Sequence, residues 1–137
     1  MIKKKSPKRK IVKKTVRKLN EEERLRNIIV DGMIEKKAKE IVCIDLRTIK
    51  NAVTDFFVIC HADSKAHIDA IAKSVEDFVY QKQGDEPFHR EGHANSEWIL
   101  IDYLNVVVHI FRQEKREFYD IERLWADAEI QRIVGSY

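Results

Sequence analysis

Two pairs of residues in this chain have side chains that suit metal or thiol chemistry. His89 and His93 stand four apart, the spacing with which a helix presents two imidazoles to a zinc ion. Gly92 lies between them and disfavours a helix, so the two rings are not expected to converge on a metal. Cys43 and Cys60 sit in apolar runs without C-x-x-C spacing, which is typical of buried, reduced thiols in a cytosolic protein. The sequence therefore predicts no metal site, no disulfide and no cysteine nucleophile.

Phosphate-binding and carboxylate chemistry lack their usual residues as well. With only four glycines, the chain cannot form either of the common glycine-rich phosphate loops. Asp45, Asp55 and Asp102 stand alone, not in the D-x-D pattern that holds a divalent metal for nucleotidyl transfer. We therefore expect no catalytic residues, no cofactor, and a protein that is not an enzyme. A degenerate nucleotidyltransferase is kept as an alternative, which stabilisation by a nucleotide with Mg²⁺ would support.

One segment combines acidic and aromatic side chains in a way that suits a protein interface. Glu91, Glu97 and Asp102 flank Trp98. A tryptophan surrounded by polar groups is a frequent anchor of interfaces, and acidic neighbours attract a basic partner. Trp98, Leu100 and Asp102 share one face if the segment is a strand. A purely structural, buried Trp98 is the alternative interpretation.

Apolar periodicity predicts the elements that position these residues. Asn20 followed by three glutamates is typical of a helix start, and Glu23 completes a capping box. The first two strands are expected to pair as a hairpin, and a turn near 103–106 separates the last two. We expect a mixed β-sheet flanked by helices, an α/β fold of the α+β sandwich type. The patterns predict helices over 20–39, 64–80 and 115–128, and strands over 41–46, 54–61, 97–104 and 105–113. Pro87, just upstream of His89, favours an extended loop there.

Charge divides the chain into two parts. Residues 1–18 carry ten basic residues and no acidic one, whereas the rest carries 16 basic and 23 acidic residues, a formal charge of −7. A block of like charges with few large apolar side chains is expected to be a disordered basic tail. The tail lacks the apolar stretch of a secretory signal and the composition of a transit peptide, and no apolar run could span a membrane. A cytoplasmic protein is expected.

The basic tail has two open interpretations. It is either a solubilising appendage or a segment that neutralises nucleic-acid phosphates and releases their counterions. A general RNA-binding module driven by the tail is therefore a second alternative function. The residues expected to contact phosphates are Lys3, Lys4, Lys5, Lys8, Arg9 and Lys10.

Three motifs follow one another along the body of the chain. They are T-D-F-F-V-I-C leading into S-x-x-H, then E-G-x-x-x-x-x-W-I-L-I-D, then V-V-V-H-I-F followed by Y-x-I-E-x-L-W. In this order and at these intervals they resemble the ribosomal silencing factor family, also called the Iojap-related family. The resemblance covers about residues 22–128. It implies a domain of this family over 19–130, between the tail 1–18 and a C-terminal tail 131–137.

The resemblance implies a fold similar to nucleotidyltransferases without the catalytic carboxylates, and a function in translation. Members of the family bind the large ribosomal subunit through the universal ribosomal protein fourteen. They block joining with the small subunit, which lowers translation when nutrients are scarce, and they are often homodimers. The basic tail is expected to add contacts to ribosomal RNA. Carried onto this sequence, the partner-binding residues are Glu91, Trp98, Leu100, Asp102, His109, Phe111 and Tyr119.

One position departs from the family pattern. The family usually has Gly-Asp in the turn before the V-V-V-H strand, where this chain has Leu104 and Asn105. Asparagine suits a turn, but the missing glycine is expected to change how tightly the hairpin closes.

Overall fold

The computed structural model describes residues 18–134 and residue 137. The predicted tail, with Lys3, Lys4, Lys5, Lys8, Arg9 and Lys10, lies outside the described residues except for Lys18. Within them, no helix combines the length and the apolar character needed to cross a membrane. The elements are α1 (Glu21–Glu35), β1 (Lys39–Asp45), β2 (Phe56–Ala62), α2 (Lys65–Gln83), β3 (His89–Glu91), β4 (Trp98–Asp102), β5 (Val106–Arg112), α3 (Gln113–Tyr119), α4 (Ile121–Leu124) and β6 (Glu129–Arg132).

The six strands form one mixed sheet in the order β3-β4-β5-β2-β1-β6. β2 and β5 run parallel at its centre, and every other pair of neighbours is antiparallel. The predicted pairing of β1 with β2 is confirmed, and β4 and β5 are joined by the predicted turn. The predicted mixed sheet flanked by helices is therefore confirmed, whereas the likeness to nucleotidyltransferases stays a prediction.

Helices α1 and α2 pack on one face of the sheet and enclose the larger core. The predicted capping box starts α1: the Asn20 side chain accepts from the Glu23 N–H at 2.9 Å, and the Glu23 carboxylate accepts from the Asn20 N–H at 3.1 Å. The two helices approach closely at Gly32, where a Cβ would lie 3.0 Å from the Val75 Cα. The Ser74 hydroxyl donates to the Gly32 carbonyl at 2.7 Å across this contact. A larger residue at position 32 would force the helices apart.

The opposite face of the sheet is covered only in part. A smaller core forms there beneath α3, α4 and the loop between β1 and β2. Its buried members are Val42, Ile44, Leu46, Ile59, Phe111, Ile121 and Ala128. Towards β3 and β4 this cover ends, and Leu100 and Asp102 are partly exposed there.

The predicted helix over 115–128 is wrong. α3 ends at Tyr119, and Asp120 adopts a left-handed conformation with φ 47° before the single turn of α4. Aspartate is one of the few L-residues that tolerate this conformation, so the helix breaks although the apolar spacing continues. β6 then pairs with β1 and extends beyond residue 130, where the predicted domain ends. Residues 131 and 132 of the predicted C-terminal tail therefore belong to the sheet.

The turn between β4 and β5 holds a leucine in left-handed backbone. Leu104 has φ 75° and its side chain is 55% exposed. The Tyr103 N–H donates to the Val106 carbonyl at 2.9 Å, and the Asp102 carboxylate accepts from the Leu104 N–H at 2.7 Å. The Thr54 hydroxyl donates to the Leu104 carbonyl at 2.7 Å. These bonds fix the turn in a conformation that favours glycine.

Replacing Leu104 by glycine is expected to raise the free energy of unfolding by about 1 kcal/mol, because glycine adopts a positive φ without a Cβ clash. Leu104→Ala is the matched control, since it removes the exposed side chain but keeps the Cβ, and we expect no gain from it. Urea unfolding of the three proteins measures the difference. Equal transition midpoints for the two variants would show that strain at this turn is not what costs stability.

Candidate functional site

Strand register brings the predicted partner-binding residues of three strands to one face of the sheet. Glu91 pairs with Leu100 across β3 and β4, and Leu100 pairs with His109 across β4 and β5. Trp98 pairs with Phe111 in the neighbouring row. Since residues two apart in a strand share a face, all five lie on the side away from α1 and α2.

These residues differ in exposure. His109 and Phe111 are buried, at 4% and 0% exposed, so they lie beneath the surface that a partner could touch. The others reach the surface, and we call them together the open face. They are the exposed Glu91 and Tyr119 and the partly exposed Trp98, Leu100 and Asp102.

Trp98 is the centre of an aromatic cluster. Its ring stacks on Phe111 with centroids 4.9 Å apart and lies 4.8 Å from the ring of Tyr119 at the end of α3. Its indole Nε1 donates a hydrogen bond to His109 Nδ1 at 3.0 Å. Trp98 thus packs on the core with one side and remains partly exposed on the other. The structural interpretation holds for its buried side, and its role as an interface anchor stays a prediction.

His109 is held in the neutral state and in one tautomer. An indole N–H can only donate, so Nδ1 of His109 must accept and its proton sits on Nε2. Nε2 is buried and has no hydrogen-bond partner among the described residues. Burial lowers the pKa of His109 to about 4, because the charged imidazolium would lose its hydration among aromatic rings.

The fold is expected to lose about 2 kcal/mol of stability between pH 7 and pH 5 through His109. Its pKa is about 4 in the folded chain, whereas an unfolded histidine has a pKa of about 6.5. Between these values the unfolded chain binds a proton that the folded chain does not, so stability falls as the pH falls through 6.5. Urea unfolding at pH 7, 6 and 5 measures this slope.

His109→Gln is the control for this pH dependence, because an amide oxygen can replace Nδ1 as acceptor for Trp98. The variant should lose most of the slope. A smaller slope should remain, since burial and the nearby Arg116 lower the pKa of His61 as well. The same slope in the variant as in the parent chain would contradict the assignment to His109.

The loop before β4 sets the position of Trp98. Gly92 has φ 88°, and a Cβ at this residue would lie 2.0 Å from the Trp98 carbonyl oxygen. The fully buried Ser96 donates its hydroxyl hydrogen to the Asp69 carboxylate and accepts from Lys65 Nζ at 3.2 Å. The Ser96 hydrogen bond holds the pKa of Asp69 below its usual range. These contacts tie the loop to α2 and fix the start of β4.

A buried arginine joins α3 to the sheet. Nη1 of Arg116 donates to the Glu40 carbonyl at 2.8 Å and to Nδ1 of His61 at 2.9 Å. Its Nε and Nη2 donate to the two carboxylate oxygens of Glu122 at 3.1 Å each. This network connects α3, α4, β1 and β2, and so holds Tyr119 beside Trp98.

Sequence reasoning missed three residues that build this site. Phe57 meets His109 edge to face at 4.6 Å, and Trp125 meets Phe57 at 5.9 Å, so both extend the aromatic cluster under the open face. Arg116 is the third. Strand alternation places Phe57 on the same face as Ile59, but it gives no information about which strand lies beside β2. Nothing in the spacing marks Arg116 as buried.

The two thiols lie in the core, as predicted. Cys43 and Cys60 are free and buried, and burial raises the pKa of each to about 12. They are therefore protonated at neutral pH. Among the residues that the structure describes, no group of three His, Cys, Asp or Glu side chains is arranged to hold a metal ion. What the open face offers a ligand is an indole, a leucine, a phenol and two carboxylates.

Fold and site together define a small α+β protein whose mixed sheet has one face covered by two helices and an opposite face covered only in part. The model of the family described as "Ribosomal silencing factor during starvation" matches residues 19–135. The chain therefore belongs to the ribosomal silencing factor family, and the resemblance inferred from the three motifs is confirmed.

Known relatives span most of the described chain. The ribosomal silencing factor of Halalkalibacterium halodurans is 37% identical over 111 residues, which cover 81% of this chain and 93% of the relative. The mouse protein named "Mitochondrial assembly of ribosomal large subunit protein 1" is 28% identical over 101 residues, covering 72% of this chain and 44% of the relative. A crystal structure of a Chromobacterium violaceum protein matches with a TM-score of 0.73 at 28% identity, over 78% of this chain and 88% of that one.

Proposed function

We propose that this chain binds the large ribosomal subunit and blocks its joining with the small subunit, which lowers translation during starvation. The proposed contact on the subunit is the universal ribosomal protein fourteen. Membership of the silencing factor family supports a role at the ribosome. The mouse relative supports the large subunit as the target, since its name refers to assembly of that subunit.

The open face is the observation that carries the proposal. It combines the partly exposed Trp98 and Leu100 with the carboxylates of Glu91 and Asp102. Interfaces obtain most of their binding energy from a few aromatic and apolar anchors surrounded by polar groups. The rigid sheet and the buried His109 and Phe111 below it hold these anchors in place before binding, which lowers the entropy cost of association.

Charge supports a basic partner. Residues 19–137 have a formal charge of −7, and the open face contributes Glu91 and Asp102 to it. His89 Nε2 lies 2.6 Å from the Glu91 carboxylate, so this acid is positioned on the edge strand. A negatively charged face steers a positively charged protein towards it and disfavours partners of the same sign.

Three finer points belong to the same proposal. The basic tail adds contacts to ribosomal RNA, where each phosphate neutralised by Lys or Arg releases counterions. The protein works in the cytoplasm and forms homodimers. It acts by occupying a surface, without catalysis, so the degree of inhibition follows the fraction of large subunits that carry it.

A subunit-joining assay tests this function. Isolated large subunits are incubated with increasing amounts of the full-length protein before small subunits are added, and joining is followed by light scattering. We expect the joined fraction to fall in proportion to the protein bound and to reach its minimum when every large subunit is occupied. Normal joining at saturation would contradict the proposal, and full inhibition at far less than one protein per subunit would favour the enzyme alternative.

A further inference from the structure

A groove opens between α1, the loop after α2, and the turn between β4 and β5. Its volume is about 550 Å³. Phe88 and Leu104 are 73% and 55% exposed, so the groove has an apolar surface that this part of the chain leaves uncovered. We call it the Phe88 groove. Its lining includes Leu25, Asp85, Glu86, Phe88, Tyr103 and Leu104.

The rim of the Phe88 groove carries two exposed carboxylates, Asp85 and Glu86. Neither forms a salt bridge or a side-chain hydrogen bond with another residue that the structure describes. Other acidic residues on this side are already paired: Asp69 with Lys65, Asp77 with Lys73, and Glu76 with Arg90. Arg90 lies near enough to Glu86 for the two charges to interact, but its guanidinium is paired with Glu76. The rim therefore has two carboxylates without an ion-pair partner among the described residues.

In a second hollow, near the start of α1, the acidic side chains are paired with an arginine. It contains the carboxylates of Glu23 and Asp45, but Arg47 forms salt bridges with both, at 3.0 and 2.8 Å. Arg26 also lines that hollow. A cationic ligand would have to displace these arginines, so the Phe88 groove is the better cation site of the two.

We propose that residues 1–17 of this chain bind the Phe88 groove when the protein is free of other partners. This segment carries nine Lys and Arg residues and no acidic residue, which complements the rim. It also contains Ile11, Val12 and Val16, whose side chains match the apolar surface around Phe88 and Leu104. The contact combines ion pairs at the rim with burial of the exposed aromatic ring.

The path of the chain permits this contact. The segment ends at residue 17, and Lys18 follows it. Lys18 is seven residues before Leu25, and Leu25 lines the groove. The helical residues from Glu21 to Leu25 account for about 6 Å of that path, at about 1.5 Å per residue. Seventeen extended residues reach up to about 60 Å. The segment can therefore lie along the groove without strain, and its attachment raises its effective concentration there.

Paramagnetic labelling of the full-length chain tests the proposal. A nitroxide is attached to Ser6→Cys, while Cys43 and Cys60 stay unlabelled because they are 4% and 0% exposed. The intensities of the amide signals of Phe88 and Leu104 are measured with the nitroxide and again with a diamagnetic label at the same cysteine. We expect these signals to lose at least half of their intensity, and to recover in about 1 M NaCl, where the Debye length is about 3 Å.

Two double variants of the labelled full-length chain make the test specific. Asp85→Asn with Glu86→Gln neutralises the rim and is expected to restore the Phe88 and Leu104 signals. Glu117→Gln with Asp127→Asn removes the same charge from exposed residues outside the groove, and is expected to leave the broadening unchanged. Equal effects of the two variants would overturn the proposal, because attraction would then follow net charge alone.

Other occupants give different results. A mixture of labelled ¹⁴N protein and unlabelled ¹⁵N protein reports only contacts between molecules, and broadening of Phe88 in that mixture would assign the groove to the tail of a second copy. No broadening at the groove, together with shifts of tail signals on adding an RNA hairpin, would assign the tail to nucleic acid. Either result would overturn binding of the segment within one chain.

Discussion

Replacing Leu100 by arginine is expected to weaken binding of this chain to the large ribosomal subunit by about 100-fold, which corresponds to about 2.7 kcal/mol. Leu100 lies between Glu91 and His109 in the strand register of the open face and is partly exposed. An arginine there would remove a proposed apolar anchor and place a positive charge against the proposed basic partner. A titration of fluorescently labelled protein with isolated large subunits measures the dissociation constant.

The fold should tolerate this change, because Leu100 is not fully enclosed and a long arginine can turn its charged end to solvent. Tyr80→Arg is the control: it introduces the same charge at an apolar residue that is 56% exposed on α2, in the layer on the other side of the sheet. We expect it to bind as the parent chain does. Equal weakening by both variants would show that the open face has no special role.

Replacing Gly92 by alanine is expected to lower the free energy of unfolding by about 3 kcal/mol. The added Cβ would lie 2.0 Å from the Trp98 carbonyl oxygen and 2.9 Å from its carbonyl carbon. These are backbone atoms of a strand, so the clash is relieved only by moving the loop away from β4. A positive φ of 88° adds strain for any residue with a Cβ. Urea unfolding measures the loss.

Gly84→Ala separates the two contributions. Gly84 ends α2 with φ 74°, but a Cβ there would have nothing within 4 Å. The control therefore adds only backbone strain, and we expect it to cost about 1 kcal/mol. If both variants lost the same stability, the close approach of Gly92 to Trp98 would be wrong, and with it the argument that this loop positions the anchor of the open face.

Local signals in the sequence predict much of this fold. Asn20 caps α1 as predicted, and Ser64 caps α2, where the sequence offers Asp63 or Ser64. Both caps are predictable because capping depends on residues only three apart. Alternation along β4 places Trp98 and Leu100 on one face whatever the strand pairs with. The prediction that this segment forms an interface uses this alternation and does not depend on the neighbouring strands. The family follows from motifs that are themselves local.

Long-range contacts account for what the sequence does not predict. His109 lies beneath the open face because β5 pairs with β4 on one side and β2 on the other, and Phe57 reaches it only through the parallel β2–β5 register. Such pairing depends on the whole chain. The break at Asp120 is a further example, since apolar spacing continues through it while the chain turns back to place β6 beside β1.

Gradient sedimentation of the full-length chain with purified subunits tests the central claim most directly. The protein is mixed separately with large subunits, with small subunits and with joined ribosomes, and each mixture is sedimented in moderate and in high salt. We predict that the protein migrates with the large subunit and with neither the small subunit nor the joined ribosome. The reason is the proposed competition of the protein and the small subunit for the same surface of the large subunit. Protein that stays at the top of the gradient with large subunits, or migrates equally with joined ribosomes, would contradict the account.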